Sequence, residues 1–108
     1  MSLIDLIKQA AEEEKVDFSI HAEYEMLNDE YGIIKTDEVL EVIQNGNIVE
    51  EYPETFPLPS CLINGKTNKG KPLHIVVAYD EEDESLQIIT VYRPNPNLWK
   101  QDFKVRKK

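Results

Sequence analysis

A chain of 108 residues with a formal charge of −9 and one cysteine is an acidic protein that can form no internal disulfide. That length suggests one domain, residues 1–108, large enough to bury a core without staples. The charge argues against broad nucleic-acid binding, which draws on clustered Lys and Arg, and no apolar run approaches the ~20 residues that cross a bilayer. The charge is uneven. Residues 1–99 hold 20 acids and 7 bases, giving −13, whereas residues 100–108 hold five bases and one acid, giving +4. The basic C-terminal tail reads either as a local patch for RNA or as a loosely held, solubilising terminus that trails off. The opening MSLIDLIKQAAEEEK lacks a secretory pattern, so a cytoplasmic location and no membrane partner are expected.

Ser2, with Asp5 three residues on, predicts the capped start of a first helix. Its apolar face runs through Leu3, Ile4, Leu6, Ile7, Ala10 and Ala11. Glu12 to Glu14 place acid at the wrong end of the helix dipole, so fraying is expected there. Residues 16–18 read as a short connector. Ser19 caps a second helix from Ile20 to about Tyr31, closed by Gly32. Ile20, Tyr24, Leu27 and Tyr31 fall at steps of three and four residues, and this stripe is expected to face the core. Thr36 or Asp37 caps a third helix with Val39, Leu40, Val42 and Ile43 as its stripe, ended by Asn45-Gly46.

Strands follow. Ile48–Tyr52 is the first. PETFPLP then enforces an extended crossing. Cys61–Asn64 is the second, and GKTNKGK is a polar turn. Leu73–Tyr79 and Leu86–Tyr92, joined by the acidic loop Asp80–Glu84, form a hairpin of nearly unbroken apolar residues, which marks central strands. Three helices followed by four strands with short links predict an α+β fold. N-terminal helices pack on one face of an antiparallel four-stranded meander.

The candidate chemistry is sparse. His21 and Glu25 are four apart on one helix, so a carboxylate can orient an imidazole. His74 lies on the sheet face away from Leu73, Ile75 and Val77, and Tyr92 and Thr90 are expected beside it. Arg93 ends the last strand. A His or Tyr to handle a 2′-hydroxyl proton and an Arg or Lys to hold phosphate are the minimal parts of RNA cleavage. That reading nominates His21, His74, Tyr92, Arg93 and Lys100. Trp99 among the tail bases suits stacking on single strands, or else pins the tail to the core. Cys61 has no basic neighbour and reads as a buried structural thiol. Neither a metal nor another cofactor is expected, because His21, His74 and Cys61 are not closely spaced.

The ordered series SIHAEYEM, DEVLEVIQNGNIVEEYPE, PLPSCLI, GKPLHIVVAYD and IITVYRPNPNLWKQDF resembles the bacterial domain of unknown function family DUF4258. The resemblance spans about residues 18–107, with residues 1–17 as a preceding helix. Where members of that family carry arginine after His-Ala-x-x, this chain has Glu25. The order of elements is also similar to the RelE and BrnT group of bacterial toxins, small ribonucleases held by an antitoxin. That likeness implies a ribonuclease toxin with an antitoxin-like or regulatory protein partner. The acidic charge, Glu25 and the scarcity of strand bases favour instead a non-catalytic protein-interaction module.

Overall fold

The computed structural model describes residues 1–100 and 102–107. Helix α1 spans Leu3–Glu12, and Ser2 and Asp5 close its capping box as the sequence predicts. Helix α2 spans Ile20–Asn28 and α3 spans Thr36–Asn45. The cap of α3 is Lys35 rather than Thr36 or Asp37, with the Lys35 N–H donating to Glu38 Oε1 at 3.1 Å. The strands are β1 (Val16–Phe18), β2 (Asn47–Tyr52), β3 (Ser60–Lys66), β4 (Pro72–Asp80) and β5 (Ser85–Tyr92). Two further short strands, β6 (Trp99–Lys100) and β7 (Val105–Arg106), pair only with each other.

The fold is α+β, but the sheet has five strands in the order β1-β5-β4-β3-β2. Strands β2 to β5 form the predicted antiparallel meander. The fifth strand is the supposed connector 16–18, which lies parallel to β5. Three residues are too few to show a period, and their partner lies about 70 residues away. Their place is set by the outer edge of β5: the Leu86 N–H donates to Lys15 O and the Ser19 N–H donates to Ile88 O, both at 2.9 Å.

One sheet face carries Cys61, Ile63, Leu73, Ile75, Val77, Leu86, Ile88 and Val91. Ile7, Ala10 and Ala11 of α1 and Val39, Val42 and Ile43 of α3 pack on it, and Ala22, Met26 and Ile34 belong to the same core. Gly46 and Gly65 let α3 approach β3. A Cβ on Gly46 would sit 2.6 Å from Asn64 O, and one on Gly65 would sit 2.8 Å from Gly46 Cα. Gly46 has φ −103, so close approach and not a left-handed cap explains the glycine.

Helix α2 departs from its predicted packing. It runs along the exposed edge of β5. The Ser19 hydroxyl donates to Ile89 O at 2.9 Å. Glu25 Oε1 accepts the Val91 N–H at 3.1 Å, and Asp29 Oδ2 accepts the Arg93 N–H at 3.0 Å. Polar side chains thus satisfy backbone groups that would otherwise form an open sheet edge. The buried residues of α2 are Ala22 and Met26. The stripe Ile20, Tyr24 and Leu27 falls on the opposite side of the helix, and Tyr31 lies beyond its end at Asn28. All four are exposed.

Candidate functional site

The second sheet face is built around His74. Its register partner on β5 is Tyr92 and on β3 Asn64. The tail does not trail into solvent; it folds back over this face. Trp99 is buried, with its ring edge-on to His74 at 4.5 Å. His74 Nε2 lies 2.9 Å from Phe103 O and Nδ1 lies 3.1 Å from the Tyr92 hydroxyl. A carbonyl only accepts, so Nε2 carries the proton and donates to Phe103 O; in the neutral ring Nδ1 accepts from Tyr92. Burial pushes the imidazole down to about 4, although the Phe103 carbonyl acts in the other direction. His74 is therefore a neutral, fully buried ring at ordinary pH, with both nitrogens engaged.

At the margin of this face, Arg106 grips Glu50 through Nε at 2.8 Å and Nη2 at 3.0 Å. The same guanidinium lies 4.7 Å from the Trp99 ring centroid. Tyr52 donates to Glu50 at 2.6 Å. Arg106 beside it holds the Glu50 carboxyl below its usual range. Burial, reinforced by Glu50, pushes Tyr52 up to about 12. Arg106, Glu50, Tyr52 and Asn64 were not nominated from the sequence. Arg106 lies near the chain end, and Glu50 reads as an ordinary strand acid. Only the fold-back of the tail brings Arg106 to the others.

Of the five nominated residues, the structure brings two together, His74 and Tyr92. Arg93 follows Tyr92 but turns to the helix side. Its Nη2 contacts Ile33 O at 3.2 Å and both Glu38 carboxylate oxygens at 3.3 Å. Burial tends to raise the Glu38 carboxyl, but the Lys35 N–H and Arg93 outweigh it and hold it low. His21 is exposed, 3.2 Å from Glu25, whose same oxygen accepts the Val91 N–H. Lys100 is exposed on β6. Cys61 is buried, and burial pushes its thiol up to about 11. Among the described residues no group of three or more His, Cys, Asp or Glu is placed to hold a metal ion. No helix there is long and apolar enough to cross a membrane.

Several exposed apolar residues lie together on α2 and the loop after it. Ile20 is 86% exposed, Tyr24 and Leu27 are each 66% exposed, and Ile33 is 61% exposed. Phe18, Met26, Leu27, Ile33 and Ile34 also line a shallow apolar groove beside the helix. Scattered exposed apolar residues are ordinary, but here they form a row along one helix face with an adjoining groove.

Comparison with known proteins adds one finding. Residues 18–93 match the family described as Domain of unknown function (DUF4258). The chain belongs to that family. No curated protein and no solved structure matches it. The DUF4258 match begins at Phe18, the last residue of β1, and ends at Arg93, so it contains α2, α3 and strands β2 to β5. Helix α1 and the tail that covers His74 lie outside it.

Proposed function

We propose that this DUF4258 chain is a non-catalytic protein-interaction module whose working surface is the outer face of α2. The observation that carries the reading is the exposed row Ile20, Tyr24 and Leu27, continued by Tyr31 and Ile33. A helix that used this stripe for its own core would hide it. Here the edge of β5 engages Ala22, Glu25, Met26 and Asp29, leaving the stripe free for a partner. The partner's chemistry follows from charge. Glu23 lines the groove beside the stripe together with Lys35, Glu30 is exposed just after the helix, and the whole chain carries −9. A second copy would bring like charges together. An apolar helix ridge flanked by Lys and Arg fits both the stripe and its acidic surroundings.

The ribonuclease reading is less well supported. A general base must reach the proton that it takes. His74 is fully buried with both nitrogens engaged, and Arg93 is committed to Glu38. Expression in a bacterial host, with growth and bulk RNA followed together, separates the two readings. The module predicts normal growth and intact RNA at high expression. Growth arrest with RNA cleavage, reversed by His74→Ala in a folded variant, replaces it with the toxin reading.

A further inference from the structure

Where α3 runs into β2, the end of the sheet carries a polar groove. Four of the chain's seven asparagines, Asn45, Asn47, Asn64 and Asn68, line it. Three elements bring them together. The α3–β2 junction supplies Asn45 and Asn47, β3 supplies Asn64, and the turn between β3 and β4 supplies Asn68. Asn47 is the register partner of Asn64 across the two strands. Asn45 Nδ2 donates to Lys66 O at 3.0 Å and to Asn68 Oδ1 at 3.1 Å, which holds two of the carboxamides side by side. The turn of the tail adds Asp102, Phe103 and Lys104 to the lining. The groove measures about 430 Å³, the size of a small-ligand site.

Asn64 decides what the groove takes. The residue is nine-tenths buried, and its Nδ2 donates to Asp102 O at 3.1 Å. Its Oδ1 has no partner among the described residues. A buried acceptor left unpaired is costly, so a fitting ligand brings a donor. Carboxylate and sulfate groups only accept, so a plain anion does not answer Asn64. An ammonium donates, but Lys66 is already paired with Asp102 at 3.1 Å and Lys104 adds a further positive charge to the lining. A hydroxyl is the neutral donor that remains. Adjacent hydroxyls on one ring each donate and accept, and so do the exposed carboxamides of Asn47 and Asn68 beside Asn64. Phe103 and Pro72 give a small apolar wall for the C–H face of such a ring. Asn64 Oδ1 is shielded from solvent, so a hydroxyl reaches it as the neighbouring turn yields. Asp102 and Phe103 in that turn hold left-handed backbone, with φ 62 and 69, which persists only while its surroundings impose it.

We propose that the groove between the 66–71 turn and the 102–104 turn is a saccharide-binding site. Asn64 Oδ1 accepts from one ring hydroxyl, and Asn47 and Asn68 engage its neighbours. The site shares no residue with the α2 surface and does not rest on the reading of that surface.

The test follows the side-chain amide resonances of the full-length, nitrogen-labelled protein. Glucose, galactose, N-acetylglucosamine and glucuronate are each titrated to about 50 mM, enough to saturate a millimolar site. Inorganic phosphate is titrated in parallel. The expected result is that at least one sugar shifts the Asn47, Asn64 and Asn68 side-chain resonances saturably, while the backbone amides of Ile20 and Tyr24 on α2 stay still. Asn47→Ala and Asn68→Ala, both at exposed positions, should each weaken that binding about fivefold with the thermal transition retained. The proposal is overturned if no sugar of the four gives saturable shifts, or if both variants bind as the wild type does. It is equally overturned if phosphate saturates the same resonances and the sugars do not, which would make the groove an anion site.

Discussion

His74 shows how little a residue's type says about its task. The sequence places an imidazole beside a tyrosine, as in a proton-transfer site; the structure surrounds it with Trp99, Tyr92 and the Phe103 carbonyl. Its depressed affinity for protons has a sign that can be tested. Unfolded, the ring titrates near 6.5; folded, it is held near 4. Between those values the unfolded chain binds more protons, so stability is complete above about 6.5 and falls as the pH drops toward 4. The whole effect is on the order of 3 kcal/mol. Denaturant unfolding between pH 7 and 5 should show that slope, and His74→Gln should flatten it. An unchanged slope would mean that the ring is not held neutral. Arg93 makes the same point on the opposite face. Its guanidinium and Glu38 form a pair that is only 10% and 20% exposed. Arg93→Ala leaves a carboxylate without its cation and should cost about 2–3 kcal/mol in chemical denaturation. A loss under half a kcal/mol would remove its structural role. That His74 would lie opposite the helices was legible from strand alternation. Its burial was legible only in part: Trp99 as a pin for the tail is borne out, but nothing in the sequence says that the tail covers His74.

At the scale of elements, the sequence was most readable where a single period had no competitor. Helix α1 follows from its stripe and cap, and helix α3 and the central hairpin follow from their apolar patterns. Helix α2 misleads because it carries two usable faces. The stripe Ile20, Tyr24, Leu27 is the more regular and the more apolar. The core takes the other face, Ala22 and Met26, because a small residue lets the helix lie close to β5 while Glu25 and Asp29 reach its free N–H groups. Only the presence of an unpaired strand edge decides between them, and that edge depends on β1, three residues placed by a distant partner. The junction of α3 with β3 gives a sharper test. Gly46→Ala puts a methyl group within 2.7 Å of two backbone oxygens, those of Asn64 and Val42. Neither atom is the end of a flexible side chain. Thermal unfolding should show a loss of about 1–3 kcal/mol or more, and a wild-type transition would contradict the described approach of α3 to the sheet.

For the whole molecule, the distribution of surface matters more than any one group. The sequence divides into a body of −13 and a tail of +4, and Lys100, Lys104 and Arg106 of that tail lie on the hairpin that covers His74. Trp99 is buried, so the tail offers exposed bases without that ring for stacking. The fold class and most strands could be read from the order of elements, and the family from five ordered segments. The proposed contact surface could not, because it rests on which side of α2 the sheet edge uses. The central claim is that this surface meets a basic, apolar partner. The most direct measurement is photocrosslinking in cells from a probe placed at Leu27, with a probe at the exposed hairpin residue Glu82 as the control. The account predicts a discrete adduct from position 27 alone, lost when Tyr24→Glu is added to a chain that still unfolds normally, and weakened by salt. No adduct at position 27, or the same adducts from both positions, would contradict it.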